Sequence, residues 1–145
     1  MNDNYFLDTN ILVYLLDPTT KKQSISQLLI GDSLKNQRGF ISIQVVQEFL
    51  NLATGKFAVR TSSENTKEFM QKVLLPLCRI YTNGDLLTLA LDINSEYKYS
   101  FYDSIIISAA IRGGSTRLYS EDLQSGQKVR GVEIVNPYVP GAELP

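Results

Sequence analysis

The sequence contains no histidine and only one cysteine, Cys78. Without an imidazole, the chain cannot form a Ser-His-Asp triad, a Cys-His pair or a histidine-ligated zinc site. A single thiol forms neither an internal disulfide nor a thiolate zinc cluster. Because Cys78 lies in the apolar run 73–80, we expect a small buried hydrophobic residue rather than a nucleophile.

An excess of positive charge is also missing. Lysine and arginine number 14 against 15 acidic residues, for a net charge of −1. A protein that holds nucleic acid by bulk charge has a different composition. The first residues lack the basic and apolar regions of a signal peptide. No apolar run reaches the roughly 18 residues of a membrane span. We therefore expect a soluble, cytoplasmic protein without a membrane partner.

The order of apolar segments predicts the fold class. Short apolar runs, typical of buried strands, alternate with longer segments of helical periodicity. The predicted strands are 5–7, 40–41, 78–81, 117–119 and 132–135, and the predicted helices are 11–16, 21–35, 42–54, 64–75, 85–97 and 102–111. This alternation predicts one α/β domain over 1–145, with three α/β/α layers and a central parallel sheet of four to five strands. The proline-rich tail, 137–145, is predicted to be extended.

Two acidic residues directly follow predicted strands. Asp8 comes after the first strand, and Asp122 comes shortly after the fourth. Taken alone, Asp8 is most simply explained as a helix N-cap and Asp122 as a turn residue. However, ligands of parallel α/β sheets bind beyond the carboxyl ends of the strands. Both residues are therefore candidates for a site at this edge.

Two further acidic residues lie on predicted helices with apolar neighbours. Glu48 shares a helical face with apolar residues, where a carboxylate needs a metal or an ion-pair partner such as Lys56 or Arg60. Asp103 lies in the first turn of an otherwise apolar helix, where a favourable interaction with the helix dipole is the structural alternative.

Parallel topology brings strand ends and helix starts to one rim, where all four acidic residues could meet. Clustered carboxylates repel one another unless a cation neutralises them, and ligation by oxygen alone favours Mg²⁺ or Mn²⁺. Without these four, 11 acidic residues remain against 14 basic ones. An acidic, metal-binding site in a mildly basic body suits a polyanionic substrate.

Four segments together resemble the PIN-domain family, in particular the VapC-type ribonuclease toxins of toxin–antitoxin systems. The segments are 6–14 (FLDTNILVY), 46–49 (VQEF), 101–106 (FYDSII, where alanine is more usual than Ser104) and 118–126 (LYSEDLQSG). One Asp-Thr-Asn is weak evidence, but four motifs in order are specific. The resemblance covers residues 6 to about 135.

The resemblance implies an acidic site of Asp8, Glu48, Asp103 and Asp122, and the supporting polar residues Thr9, Asn10 and Ser120. It implies a Mg²⁺- or Mn²⁺-dependent endoribonuclease in which Asp8, Asp103 and Asp122 hold one or two metal ions. In it, Glu48 orients or deprotonates the attacking water, directly or as an outer metal ligand. The resemblance also implies an RNA substrate, a cognate antitoxin and a homodimer.

Two alternatives stay open. One is a catalytically silent PIN scaffold that binds RNA or protein. The other is a phospho-accepting receiver or a dehalogenase-type phosphatase, which also places an aspartate after the first strand. The phosphatase motif has a second aspartate two residues later, where this chain has Asn10. Both of these classes also need a lysine near a late strand end, and Lys128 is poorly placed for it.

Overall fold

The computed structural model describes residues 3–55 and 62–145. Within these residues, six strands form one sheet: β1 Tyr5–Leu7, β2 Gly39–Ser42, β3 Cys78–Ile80, β4 Arg117–Tyr119, β5 Lys128–Val129 and β6 Val132–Val135. Their order across the sheet is β3-β2-β1-β4-β6-β5. The first five strands in this order, β3 to β6, run parallel, and β5 pairs antiparallel with β6. The predicted α/β class with a central parallel sheet is confirmed, and the short edge strand β5 was not predicted.

Helices connect the strands and flank the sheet. They are α1 Thr9–Leu15, α2 Lys22–Asn36, α3 Ile43–Thr54, α4 Ser63–Phe69, α5 Leu75–Leu77, α6 Gly84–Tyr97 and α7 Phe101–Arg112. Ser42, Asn83 and Ser100 cap α3, α6 and α7, because each side chain accepts a hydrogen bond from a backbone N–H in the first turn. No helix in the described parts of the chain is both long enough and apolar enough to span a membrane.

The helix predicted to end before Pro76 continues past it. After α4, the chain passes through a π-helical turn, Met70–Leu74, and then enters α5. Pro76 lies in the first positions of α5, where a missing N–H leaves no helical hydrogen bond unmade. The wider π turn therefore lets the helical path extend to Leu77.

The buried face of α2 differs from the one that its helical spacing of apolar residues predicts, which consists of Ile25, Leu28, Leu29 and Leu34. Leu28 and Leu34 are exposed, whereas Ser26 and Ser33 are buried. The hydroxyl of Ser26 hydrogen-bonds with that of Tyr138 at 2.7 Å, and Ser33 donates to the backbone carbonyl of Leu29 at 2.7 Å. These hydrogen bonds give the buried serines polar partners, which an apolar pattern does not reveal.

The C-terminal tail is not extended throughout, because turns occupy residues 137–141. The ring of Tyr138 packs edge-on against Tyr14. Further along, the backbone carbonyl of Glu143 accepts a 2.9 Å hydrogen bond from the Tyr119 hydroxyl, and its carboxylate pairs with Arg117. The tail is thus held against both α1 and the sheet.

Cys78 is half-buried in β3 rather than fully buried. Burial raises the pKa of its thiol. Since the thiolate is the reactive form, this environment favours the unreactive thiol that the sequence predicted.

The strand order reverses between β1 and β4. From β1 the chain first builds β2 and β3 on one side, and later adds β4, β6 and β5 on the other. Leu7 is in register with Tyr119 across this junction, so the residues that follow the two strands lie side by side. Ligand sites of open α/β sheets form at such switch points.

Candidate active site at the carboxyl ends of β1 and β4

Asp8 is the buried carboxylate of the site, with 8% of its surface exposed. It caps α1, as the structural alternative predicted, since Oδ1 accepts a 2.7 Å hydrogen bond from the Thr9 N–H. Burial raises its pKa to about 6, and the charges of Glu48 and Asp122 act in the same direction. Hydrogen bonds from Ser120 and Thr9 oppose this shift. Asp8 therefore lies close enough to two other acidic residues to sense their charge.

Ser120 and Asn10 connect Asp8 with Asp122. The Ser120 hydroxyl donates to Asp8 Oδ2 at 2.7 Å and accepts from the Asp122 N–H at 3.1 Å. Asn10 Nδ2 donates to Asp122 Oδ2 at 3.1 Å. The β4 turn is thus fixed against the start of α1, and the exposed Asp122 carboxylate is oriented toward this edge.

Thr9 connects the first strand with the helical glutamate. Its hydroxyl donates a 2.5 Å hydrogen bond to Glu48 Oε1. Glu48 is partly buried, and none of the described residues forms an ion pair with it. The proposed partners Lys56 and Arg60 lie outside the described residues.

Asp103 takes no part in the side-chain hydrogen bonds that connect the other three acidic residues. Its side chain is exposed, while Ile106, Ile107 and Ala110 of the same helix are buried. The apolar pattern of this helix does not bury Asp103, because the first turn of α7 projects beyond the core, with Phe101 also exposed. Within the described residues, its carboxylate has neither a hydrogen-bond partner nor an ion-pair partner.

Sequence reasoning did not identify Gln44, which lies one turn before Glu48 on α3. Its Nε2 donates to Glu48 Oε2 at 3.1 Å and to the Tyr102 carbonyl at 3.3 Å. Tyr102 directly precedes Asp103, so this amide links the two helices that carry acidic residues. The four-residue spacing to Glu48 on one helix was a signal in the sequence for this contact.

Glu121 was also not identified. The Tyr14 hydroxyl donates to it at 2.5 Å, and Lys22 forms an ion pair with it. Although burial alone would raise the pKa of Glu121, hydrogen bonds from Lys22 and Tyr14 hold it below its usual value. Glu121 thus anchors the turn that carries Asp122 to α1 and α2. No sequence pattern distinguishes Glu121 from an ordinary surface glutamate.

An open groove of about 470 Å³ borders these side chains. Four of its lining residues belong to the predicted site: Thr9, Asn10, Glu48 and Asp122. Val13 and Leu52 supply an apolar wall between α1 and α3. Two of the four predicted acidic residues, Glu48 and Asp122, therefore face a space that a ligand can enter.

The carboxylates do not form a closed cage. In the described part of the chain, no group of three acidic, cysteine or histidine residues is arranged to hold a metal. Mg²⁺, however, is commonly bound by one or two carboxylates together with waters and substrate phosphate. Asp8, Glu48 and Asp122 offer only oxygen ligands, and burial and the neighbouring charges destabilise the Asp8 anion. A cation bound by one or two of these carboxylates fits both features.

The arrangement of strands argues against a receiver-type or phosphatase site. Lys128 lies on the edge strand β5 and is exposed, and β4 and β6 separate that strand from β1. The lysine is therefore far across the sheet from Asp8.

The sequence profile of the PIN-domain family matches residues 5–128. The chain belongs to the PIN-domain family. Solved structures with the same fold include a toxin–antitoxin complex from Klebsiella pneumoniae (19% identity, TM-score 0.66, covering 93% of this chain and 98% of the other). FitAcB from Neisseria gonorrhoeae is 20% identical, with a TM-score of 0.65 and coverage of 92% and 98%. VapC20 from Mycobacterium tuberculosis, a sarcin–ricin-loop-cleaving toxin, is 17% identical, with a TM-score of 0.62 and coverage of 82% and 90%.

At these identities the likeness establishes the fold of this PIN domain. No curated protein sequence matches the chain. The predicted resemblance to PIN domains of toxin–antitoxin systems is confirmed.

Proposed function

We propose that this PIN domain is a metal-dependent endoribonuclease and the toxin of a toxin–antitoxin system. One observation carries the proposal: Asp8, Glu48 and Asp122 are joined by Thr9, Asn10 and Ser120 at the switch point of the sheet. PIN domains are in general nucleases that depend on divalent metals. The fold is shared with VapC20, a toxin that cleaves the sarcin–ricin loop.

The acidic residues have different roles in this proposal. Asp8, Asp103 and Asp122 would hold the cation, and a bound Mg²⁺ or Mn²⁺ lowers the pKa of a water and stabilises charge on phosphoryl oxygens. Glu48 orients the attacking water or accepts its proton, directly or as an outer ligand of the cation, since Thr9 and Gln44 fix both of its oxygens beside the groove. Thr9, Asn10 and Ser120 hold the carboxylates in place.

The products follow from the identity of the nucleophile. When water attacks phosphorus and the 3′ oxygen leaves, the fragments carry a 5′-phosphate and a 3′-hydroxyl. Attack by the ribose 2′-hydroxyl would instead leave a cyclic phosphate. The chain has no histidine to serve as the general base for that second route.

The test is cleavage of total bacterial RNA by the purified protein, with Mn²⁺, with Mg²⁺ and with EDTA. We expect cleavage with at least one metal, none with EDTA, and 5′-phosphate ends identified by sequencing. Asp8→Asn should be inactive. Asp92→Asn, an exposed change on α6, should match the wild type.

A folded wild-type protein that cuts no RNA with either metal would instead identify a catalytically silent scaffold. Cleavage that persists in EDTA or in Asp8→Asn would remove the metal mechanism. Calorimetric titration with Mn²⁺ separates these cases, because it detects the metal site without requiring turnover.

The same proposal includes the partners and the location. A toxin–antitoxin complex shares this fold, which supports a cognate antitoxin that keeps the nuclease inactive. The homodimer and the cytoplasmic location belong to the proposal as properties expected of a toxin that acts on cellular RNA. Light scattering of the purified chain, alone and co-expressed with the product of the neighbouring gene, tests the assembly.

A further inference from the structure

The side-chain amide of Gln44 lies between two elements that carry acidic residues. It belongs to the first turn of α3, and 8% of its surface is exposed. The two hydrogens of Nε2 have one acceptor each, Glu48 Oε2 at 3.1 Å and the Tyr102 carbonyl at 3.3 Å. Among the hydrogen bonds of the described residues, these two connect the Glu48 carboxylate with the first turn of α7.

The two acceptors determine which way this amide points. A carboxylate and a backbone carbonyl can only accept, so the NH₂ group must face both of them. Rotating the amide by 180° would bring Oε1 against two oxygen atoms. In the observed orientation, Oε1 is buried and has no partner among the described residues.

A buried acceptor without a partner is unfavourable for folding, and a methionine of similar length would avoid that penalty. In a residue that only filled the core, such a penalty would have no compensation. Local choices that oppose stability concentrate at functional sites. The uncompensated oxygen thus indicates that the donor end of Gln44 has a role in the site.

We propose that Gln44 is a positioning residue that fixes the Glu48 carboxylate relative to the turn carrying Asp103. Thr9 holds Glu48 Oε1 and Gln44 holds Oε2, so the flexible glutamate is fixed from both sides. The second bond, to the Tyr102 carbonyl, ties this geometry to the residue before Asp103. This inference rests on the proposed function of the same acidic site.

The test compares Gln44→Met with Gln47→Met, a matched change at an exposed position of the same helix. Methionine keeps the length of the side chain and removes both donors. We expect Gln44→Met to lose about 10- to 100-fold in kcat, the usual effect of losing a residue that supports a metal-site group. KM for RNA should change less than about twofold, since Gln44 does not contact RNA in this proposal. Gln47→Met should match the wild type in both constants.

Two further measurements separate positioning from a structural role. The melting temperature of Gln44→Met should stay close to that of the wild type, because removal of the unsatisfied oxygen offsets the loss of the two hydrogen bonds from Nε2. Calorimetry should show weaker Mn²⁺ binding by Gln44→Met and unchanged binding by Gln47→Met. Gln44→Glu, which keeps the shape but replaces the donor with a carboxylate, should lose kcat in the same way.

Wild-type kcat in a folded Gln44→Met would overturn the inference. So would a loss of activity that only follows a loss of folded protein. If the wild type cleaves no RNA, the proposed function fails, and Mn²⁺ calorimetry alone then decides the role of Gln44. In that case, equal Mn²⁺ dissociation constants for the wild type and both Gln44 variants would contradict the positioning role of Gln44.

Discussion

The hydroxyl of Ser120 donates a 2.7 Å hydrogen bond to Asp8 Oδ2, although 112 residues separate the two. Ser120 Oγ also accepts hydrogen bonds from the N–H groups of Asp122 and Leu123. One buried hydroxyl therefore supports a carboxylate after β1 and shapes the turn after β4. This atom therefore connects the segment that follows β1 with the segment that follows β4.

Ser120→Ala should weaken both the site and the fold. It leaves two N–H groups without an acceptor and removes a donor that lowers the pKa of Asp8. We expect a loss of about 1–3 kcal/mol in the free energy of unfolding and about 10- to 100-fold weaker Mn²⁺ binding or activity. Urea unfolding and calorimetry measure the two effects. Ser24→Ala, an exposed change on α2, is the control, and equal behaviour of the two variants would contradict the role of Ser120.

Asp8 should give the metal-free protein an unusual pH dependence. Its pKa is raised from 3.8 to about 6 in the folded state, so the folded state binds the proton first as pH falls. The contribution of Asp8 to stability therefore increases as the pH falls from about 7 to about 4, by up to about 3 kcal/mol for a shift of two units. Other carboxylates, such as Asp32, have lowered pKa values and act in the opposite direction.

The contribution of Asp8 is isolated by subtracting the stability of Asp8→Asn from that of the wild type. The unfolding free energy of each is measured by urea titration in EDTA. Relative to the variant, the wild type should gain stability as the pH is lowered from 7.5 to 4.5. A difference that stays constant with pH would refute the raised pKa.

Asp103→Asn should abolish cleavage while leaving the fold intact. The side chain is exposed, and none of the described residues pairs with its carboxylate, so the change should alter stability by less than about 0.5 kcal/mol. RNA cleavage and thermal melting are measured for this variant and for the exposed control Asp92→Asn. Full cleavage by a folded Asp103→Asn would remove Asp103 from the site. A clearly lower melting temperature would instead assign it a structural role at the start of α7.

Gly39→Ala should be strongly destabilising, and Gly31→Ala should not. A Cβ at Gly39 would lie 1.9 Å from Ser33 Oγ and 2.5 Å from the Tyr5 ring, whereas one at Gly31 meets nothing within 4 Å. Overpacking of this kind costs about 1–3 kcal/mol or more. Replacing glycine on the exposed face of α2 should gain up to about 1 kcal/mol. Equal melting temperatures would contradict the close approach of β2 to α2.

Much of the fold could be predicted because its local signals agree. The apolar runs of β1 and β4 are each followed by a polar residue. Ser42 caps α3, whose predicted range begins at that residue. The predicted buried face of α2 was wrong because Ser26 and Ser33 are buried. Ser26 hydrogen-bonds with Tyr138 from a distant segment, and Ser33 donates to the Leu29 carbonyl of its own helix. The apolar periodicity of the helix contains neither hydrogen bond.

The sequence suggested the acidic residues of the candidate site, but it could not predict the arrangement between them. Asp8 and Asp122 were suggested by their positions after strands, and Thr9, Asn10 and Ser120 by resemblance. Exposure of Asp103 was missed, because a helix pattern does not say where the helix leaves the core. The two-acceptor geometry at Gln44 depends on how α3 meets α7, and only the structure shows that contact.

The parallel pairing of β1 with β4 has a consequence for biosynthesis. Leu7 and Tyr119 are partners in the ladder, so the carboxylate that follows β4, Asp122, is translated long after Asp8. Contacts between residues so distant in sequence also form late and slowly in folding. Until Asp122 has been made, the nascent chain lacks part of the proposed catalytic centre. The proposed activity would arise only after the β4 segment has emerged and paired with β1.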